Sequence, residues 1–209
     1  MPGMQRLTAL ISSYEGVEQG LCVAFSGGVD SALLLAAACQ AATAGRFPVW
    51  AVYFDTALHP AGDCEEAGRL ARELGAQFEA IKIDELAEAG IEQNPPDRCY
   101  RCKAFIFSTI LERMARDGYE ILADGTNATD DPANRPGFQA LAELGVTSPL
   151  RRAGMTKEAV RAASRDSSLF TADKPSFSCL AVHVPKGEIV TQAALDAAAA
   201  RLGGSPPVP

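Results

Sequence analysis

The sequence predicts an α/β fold: a parallel sheet with helices on both faces and a short C-terminal extension. Three observations carry this. Short apolar runs recur as LCVAF at 21–25, PVWAVYF at 48–54, 78–83 and 119–123. Helix-length segments closed by glycine separate them. Each run is mostly apolar on successive residues rather than alternate ones, except Phe78 to Ile83, which alternates. Strands that alternate with helices and are apolar throughout belong to parallel sheets covered on both faces.

Taken in order, Leu7, Leu10, Ile11 and Tyr14 fit one face of a short amphipathic helix. The first strand runs into SGGVDS and then a helix, SALLLAAACQAATAG, closed by Gly45. A second strand, 48–54, precedes a helix from about Asp63 to Leu74, with Gly75 as its stop. A helix spans Cys99 to Arg116 and ends at Gly118; the fourth strand is Tyr119 to Ala123. Beyond Asn127 the texture changes. DDPANRPG reads as a turn-rich loop, with Pro136 placed to start a helix over GFQALAELG. Thr156 opens a short helix to Arg165 through a near-miss capping box. KPSFSCLAVHVPKG reads as loop, Thr191 to Leu202 as a last helix, and GGSPPVP as a frayed tail. Two parts follow: residues 1–130, the nucleotide-binding domain, and 131–209, a shortened C-terminal region.

Composition bounds the function. The chain has 209 residues, 47% apolar and 22% charged, an ordinary globular mixture. A net charge of −7 makes nucleic acid an unlikely partner, although a local basic groove is compatible with it. The N-terminus lacks a basic-then-apolar leader, and the most apolar run, Ala32 to Cys39, falls well short of the ~18 residues that span a bilayer. The expectation is a cytoplasmic protein with no membrane partner. Six cysteines in such a chain read as thiols or metal ligands rather than disulfides. Cys22 and Cys39 sit in apolar surroundings and read as packing residues, and Cys64 is ambiguous.

Two loops carry the chemistry. In SGGVDS, Gly27 and Gly28 let the backbone turn sharply and bring bare N–H groups up to an anion. The helix beginning near Ser31 adds its N-terminal dipole, Ser26 and Ser31 add hydroxyl donors, and Asp30 is suited to Mg²⁺ or to a backbone turn. Asp124-Gly125-Thr126-Asn127, at the end of the fourth strand, falls on the same rim of the sheet. The Walker-type loop GxxxxGK[ST] is absent. SGGVDS resembles the PP-loop of the ATP-pyrophosphatase superfamily. That resemblance implies a Rossmann-like, HUP-like architecture and an enzyme that attacks the α-phosphate of ATP, forms an adenylate and releases pyrophosphate. It also implies that Ser26, Gly27, Gly28, Asp30 and Ser31 hold the pyrophosphate part of ATP, with Val52 to Asp55, Gly125 and Thr126 bordering the nucleotide.

Cys99 and Cys102 form C-Y-R-C at the start of a helix, flanked by Arg98, Arg101 and Lys103. Positive charge and a helix N-terminus lower a thiol pKa, so both read as ready thiolates. Cys179 is remote in sequence but lies in a loop able to return to the same rim. On residue chemistry alone, structural zinc, an iron–sulfur cluster, a redox disulfide and unrelated thiols stay open.

The ordered set RCYRCK, DGTN, NRPGFQALAELGVTSPL, MTKEAVR and DKPSFSCLA, with SGGVDS, resembles the LarE family of sulfur transferases from about Leu21 to Thr191. The resemblance implies adenylation of a carboxylate of a small nucleotide, pyridinium biscarboxylate mononucleotide, and replacement of its oxygen by sulfur, toward the nickel-pincer nucleotide cofactor. Members with three cysteines matching Cys99, Cys102 and Cys179 bind a [4Fe–4S] cluster whose open iron can carry an additional sulfide. ATP, Mg²⁺ and this cluster are therefore the cofactors implied, and the sulfide donor is not identified. Arg135, Arg161 and Lys174 are candidates for anionic substrate or phosphate. Two departures stand out: Val182-His183 replaces the family's usual Ser-Arg, and the sequence ends before the region that holds family substrate-phosphate contacts and much of the oligomer interface. A homo-oligomer remains an expectation. Two other readings compete: a PP-loop amide or nitrile synthase or tRNA thiolase with zinc at the cysteines, and a catalytically silent binding module.

Overall fold

In the computed structural model, which describes residues 2–60, 62–132, 136–176 and 178–202, four parallel strands form one sheet. The strands are β1 (Leu21–Ala24), β2 (Val49–Asp55), β3 (Gln77–Lys82) and β4 (Ile121–Ala123). Their order is β3-β2-β1-β4. Leu21 is in register with Val49 on one side and Ile121 on the other. The expected α/β class therefore holds.

The alternation of the pleat sorts side chains to the two faces. Leu21, Val23, Val49, Ala51 and Tyr53 enter one core cluster, and Cys22, Trp50, Val52 and Phe54 the other. The first face is covered by α1 (Pro2–Ser12), α2 (Val29–Gly45), α3 (Asp63–Glu73) and two later helices. Helix α2 is buried over most of its circumference, as a helix apolar all round must be. The second face is covered mainly by the longest helix, which follows the short α4 (Glu85–Glu88) and is labelled α5 (Arg98–Asp117), through Phe107, Ile110 and Met114. Helix α6 (Gly137–Glu143) packs beside it through Leu141.

Element positions follow the sequence reading closely, with instructive differences. Gly75 and Gly118 both take positive φ beyond helix ends, as read. At Gly45 the helix runs through, and Arg46 adopts the left-handed conformation instead (φ 57°). Helix α1 stops at Ser12, so Tyr14 packs on the core from beyond it. Four short elements gave no sequence signal: the 3-10 turn Val17–Gln19, α4, α7 (Pro149–Arg152) and the 3-10 turn Phe170–Asp173. Each is about one turn, too short for a hydrophobic period to register. Helix α8 (Lys157–Asp166) begins as read, with Thr156 Oγ1 accepting from the Ala159 N–H at 3.2 Å.

The C-terminal residues fold back over the rim that carries the loops. The segment read as loop contains a 3-10 turn, Leu180–His183, and is followed by α9 (Gln192–Arg201). Leu180, Val184, Val190, Leu195 and Ala198 close a third core with Leu58 and Ile91. Backbone bonds stitch it down, Leu180 N–H to Leu58 O at 3.1 Å and Val190 N–H to Glu92 O at 2.8 Å. Asn94 is the clasp. Fully buried and at φ 48°, it donates its amide to Val184 O (3.0 Å) and Pro185 O (2.7 Å).

Replacing Asn94 by glycine keeps the left-handed backbone accessible but removes the amide from two inward carbonyls. The expected cost is about 2 kcal/mol. Hydrogen exchange should accelerate over residues 180–199 before the sheet amides change; equal protection in both forms would show that Asn94 is not the clasp.

Candidate functional site

β2 follows β1 on one side, while β4 returns on the other, so the strand order reverses between β1 and β4. Ligands in open parallel sheets bind at such a switch point, beyond the carboxyl ends of the strands. Both motif loops arrive there: SGGVDS leaves β1 and DGTN leaves β4. A cavity of about 610 Å³ opens between them.

The first loop is built as a phosphate turn. Gly27 takes φ 70°, a left-handed conformation that costs glycine little, and a Cβ there would sit 3.2 Å from Ala67 Cβ. Ser26 Oγ and Ser31 Oγ lie 3.1 Å apart, and Ser31 Oγ donates to Gly28 O at 3.1 Å. Ser26, Gly28, Asp30 and Ser31 all line the cavity, at the N-terminus of α2. The second loop presses on this turn. A Cβ on Gly125 would lie 2.9 Å from Ser31 N, so any side chain there would push the two loops apart. Thr126 donates to the buried Asp124 carboxylate, which also accepts from Ser148 Oγ at 2.6 Å.

Asp30 has protein partners of its own. It accepts Asn127 Nδ2 at 3.2 Å and is ion-paired with Lys157, the first residue of α8. Lys157 also lines the cavity, as does Lys103, whose Nζ is 3.9 Å from Asp124. Sequence reasoning placed Lys103 only beside the cysteines and gave Lys157 no part in the site. Their signal was weak, since a lysine on an exposed helix turn is the commonest surface residue, and only the fold turns these two inward.

The cysteine corner adjoins the same cavity. Cys102, in the first turn of α5, lines it, and Cys102 and Cys179 both pack against the third core. Cys179 lies near enough to feel the charges of Cys99, Arg98 and Glu85. The fold thus brings together three residues separated by up to 80 positions in sequence. Among the described residues, no group of three or more His, Cys, Asp or Glu side chains closes around a point that would hold a single metal ion.

The expectation of a lowered thiol pKa fails at Cys102. Burial pushes the Cys102 thiol up, and Glu85 adds to it, as Cys102 Sγ donates to Glu85 Oε1 at 2.6 Å; Lys103 opposes weakly. Burial also pushes Cys179 up, to about 11, against a backbone hydrogen bond and Arg98. The arginine that was to activate Cys99 and Cys102 is mostly occupied elsewhere. Arg98 donates to Asn94 and to Ala181 O (2.8 Å), with Cys99 Sγ only at 3.8 Å. Desolvation at the base of the corner outweighs the helix terminus.

The candidate substrate residues lie apart from the cavity wall. Arg161 donates to Ala172 O (2.7 Å) and Lys174 O (3.0 Å), pinning the chain that leads to Cys179. Lys174 reaches Asp63 Oδ1 at 3.3 Å and also bonds Glu66 on α3. Burial depresses its pKa, but Glu66 and Asp63 more than compensate, and the net shift is upward. Arg135 lies outside the described residues. Cys22 is fully buried and Cys39 half-buried against the core, as read, while Cys64 lines a second, larger cavity of about 860 Å³ beside the first.

Two outcomes follow. A Gly125→Ala variant should weaken ATP binding at least about tenfold by calorimetry, because the added methyl displaces the backbone of the phosphate loop; unchanged affinity would remove Gly125 from the site. In metal-free protein, Cys179 should resist alkylation at pH 8, where a thiol of pKa near 11 is about a thousandth thiolate. Its labelling should rise roughly tenfold per pH unit from pH 8 to 10. A pH-independent rate would refute the upward shift.

Comparison with known proteins agrees with this site. A family model described as the PP-loop domain matches residues 3–131. The chain is 33% identical over 173 residues to the pyridinium-3,5-bisthiocarboxylic acid mononucleotide synthase of Lactiplantibacillus plantarum, covering 83% of this chain and 62% of that protein. An uncharacterized protein of Synechocystis is 34% identical over 169 residues, covering 81% of this chain and 62% of that one. The chain thus spans less than two thirds of the length of these relatives. Among solved structures, an NMN synthetase from Francisella tularensis matches with a TM-score of 0.65 and 15% identity, over 93% of this chain and 84% of that one. An NH3-dependent NAD synthetase from Campylobacter jejuni matches with a TM-score of 0.59 and 18% identity, over 85% of this chain and 76% of that one. These two share the fold. On the matched domain, which takes in more than half of the chain, the chain belongs to the PP-loop family.

Proposed function

We propose that the chain is an ATP-dependent sulfur transferase that adenylates a carboxylate of a small nucleotide and replaces the carboxylate oxygen with sulfur. The observation that carries this reading is a single cavity with the phosphate loop at one side and Cys102 at the other. An adenylating site and a sulfur site on one wall are what such a reaction requires.

In this reading Ser26, Gly27, Gly28 and Ser31 receive the β- and γ-phosphates at the N-terminus of α2, where N–H groups and the helix dipole favour anions. Gly125 and Thr126 border the α-phosphate side. Lys157 and Lys103 supply positive charge to a cavity that otherwise presents Asp30, Asp124 and Asp130. Asp30, which pairs with Lys157 and Asn127, is the residue that would hold Mg²⁺, and the ion would supply neutralisation of phosphate charge. The substrate carboxylate attacks the α-phosphorus, the bond to pyrophosphate breaks, and an acyl adenylate remains. A carboxylate oxygen leaves poorly and AMP leaves well, so a sulfur nucleophile then forms the C–S bond as the C–O bond to AMP breaks.

The thiols of Cys99, Cys102 and Cys179 are the residues that would hold a [4Fe–4S] cluster, which supplies sulfide-handling chemistry when bound. What supports this reading is the chemistry of the donors, three soft thiols, of which Cys102 and Cys179 are sheltered by the third core. Arg161 serves by holding the chain before Cys179 in place. The name of the Lactiplantibacillus relative gives its product as a pyridinium-3,5-bisthiocarboxylic acid mononucleotide; the LarE resemblance supplies the candidate acceptor, the biscarboxylate mononucleotide, and a place in nickel-pincer cofactor synthesis.

Protein purified without oxygen should show a broad brown absorbance with about four irons and four sulfides per chain, lost in Cys179→Ala. With ATP and the biscarboxylate mononucleotide it should release pyrophosphate, and Cys179→Ala should keep that release while losing sulfur incorporation. A colourless, iron-free protein would overturn the cluster; absence of pyrophosphate release with every candidate acid would overturn adenylation.

A further inference from the structure

Lys103 is held in a slot that positions its charge without consuming it. It stands near the start of α5 and lines the nucleotide cavity together with Cys102. Two neighbours confine its stem. Its ammonium lies over the Phe107 ring, 5.3 Å from the centroid, and Gly137 at the start of α6 lies against its methylenes. A Cβ on Gly137 would stand 2.4 Å from Lys103 Cδ and 3.0 Å from Cε, so the lysine runs where any other residue would put a side chain. Nζ is 3.9 Å from Asp124 Oδ2, an ion-pair distance rather than a hydrogen bond. Asp124 already accepts from Thr126 and Ser148. It anchors the lysine by charge and leaves the ammonium N–H groups for a ligand.

Adenylation of an acid needs a cation at this place. A carboxylate that attacks the α-phosphorus of ATP is an anion approaching an anion, and Coulomb repulsion opposes it unless a fixed positive charge intervenes. Among the described residues that line the cavity, Lys103 and Lys157 are the lysines, and no arginine joins them. Lys157 pairs with Asp30 of the phosphate loop and so serves the pyrophosphate end. Lys103 stands beside Asp124, the residue before Gly125, and is next in sequence to Cys102. That is the end where the acyl carbon belongs, with the α-phosphate on one side of it and the sulfur site on the other.

We infer that Lys103 binds the acceptor carboxylate and holds it against the α-phosphate, and that Gly137 is a positioning residue kept small by the path of the lysine. The inference rests on the adenylation reading above and names the group by which the site selects a carboxylate. One carboxylate oxygen accepts a charge-assisted hydrogen bond from Nζ while the other attacks phosphorus. As that P–O bond forms, the bond to pyrophosphate breaks, and the ammonium keeps its proton. It then faces the carbonyl oxygen of the acyl adenylate, where it stabilises the negative charge that develops as sulfur adds to the carbon.

The test is calorimetric binding of pyridinium-3,5-biscarboxylate mononucleotide, and of its dicarboxamide, to protein loaded with Mg²⁺ and α,β-methylene-ATP, which cannot be adenylated upon. The affinity for the ATP analogue, measured first for each protein, reports the nucleotide site separately. Lys103→Met should lose at least about tenfold in affinity for the dicarboxylate, the worth of one hydrogen bond between charged groups, and little for the dicarboxamide. Lys103→Arg, which keeps the charge, should recover part of the loss. Gly137→Ala keeps the ammonium but moves its stem, so it should weaken the dicarboxylate several-fold with the far-ultraviolet circular dichroism unchanged, and it carries the test if Lys103→Met does not fold. Unchanged affinity in Gly137→Ala would remove its positioning role. Equal dicarboxylate affinity in native protein and Lys103→Met, or a loss shared equally by the dicarboxamide, would overturn the inference and leave adenylation standing. Native protein that binds neither compound would remove the acceptor reading and this inference together.

Discussion

Everything at the rim depends on how closely the loop after β4 approaches the first turn of α2. With β1 and β4 side by side, the two loops emerge at adjacent strand ends, and Gly125 lies against the Ser31 backbone with no room for a Cβ. That approach sets the width of the cavity. It carries Asn127 to Asp30, and Asp30 in turn holds Lys157 at the start of α8. A phosphate loop alone would be a turn before a helix. Braced by the neighbouring strand's loop, it becomes one wall of a site with fixed donors and two lysines.

The C-terminal residues supply the opposite wall. Without the third core, Cys179 would have no defined position relative to α5. Leu180, bonded to Leu58, and Val184, clasped by Asn94, flank the cysteine on its C-terminal side. On the N-terminal side Arg161 ties down Ala172 and Lys174. Two sets of contacts, one from the loops carrying Leu58 and Asn94 and one from α8, thus fix the chain on both sides of one sulfur. The corner that results is drier than an exposed helix end, which is why burial governs Cys102 and Cys179 more than the arginines do.

The parallel sheet and its helices were legible because their signals are local: apolar runs of strand length, glycines at stops, a capping threonine. SGGVDS was legible because a sharp turn and an anion site both need those residue types. The three cysteines could be nominated by resemblance, but their convergence depends on how the chain folds after Asn127, which no period encodes. Lys157 and Glu85 were invisible for the same reason. Each is an ordinary charged residue near a helix start, and only the third dimension puts one beside Asp30 and the other beside Cys102. Arg161 and Lys174 erred the other way: positive charge suggested an anionic ligand, and the fold spends both on its own carbonyls and carboxylates.

The central claim is that the nucleotide cavity and the cysteine corner are one site. Alkylation of metal-free protein at pH 10 by a small haloacetamide, followed over many hours because burial holds the Cys102 thiol up, and quantified as a rate by mass spectrometry with and without Mg-ATP, tests it directly. Cys102 lines the nucleotide cavity and Cys64 the neighbouring one, so each sample carries its own reference. ATP should protect Cys102 and leave Cys64 unchanged. Equal labelling of Cys102 in both samples, with ATP shown to be bound, would mean that the nucleotide and the cysteines occupy separate sites.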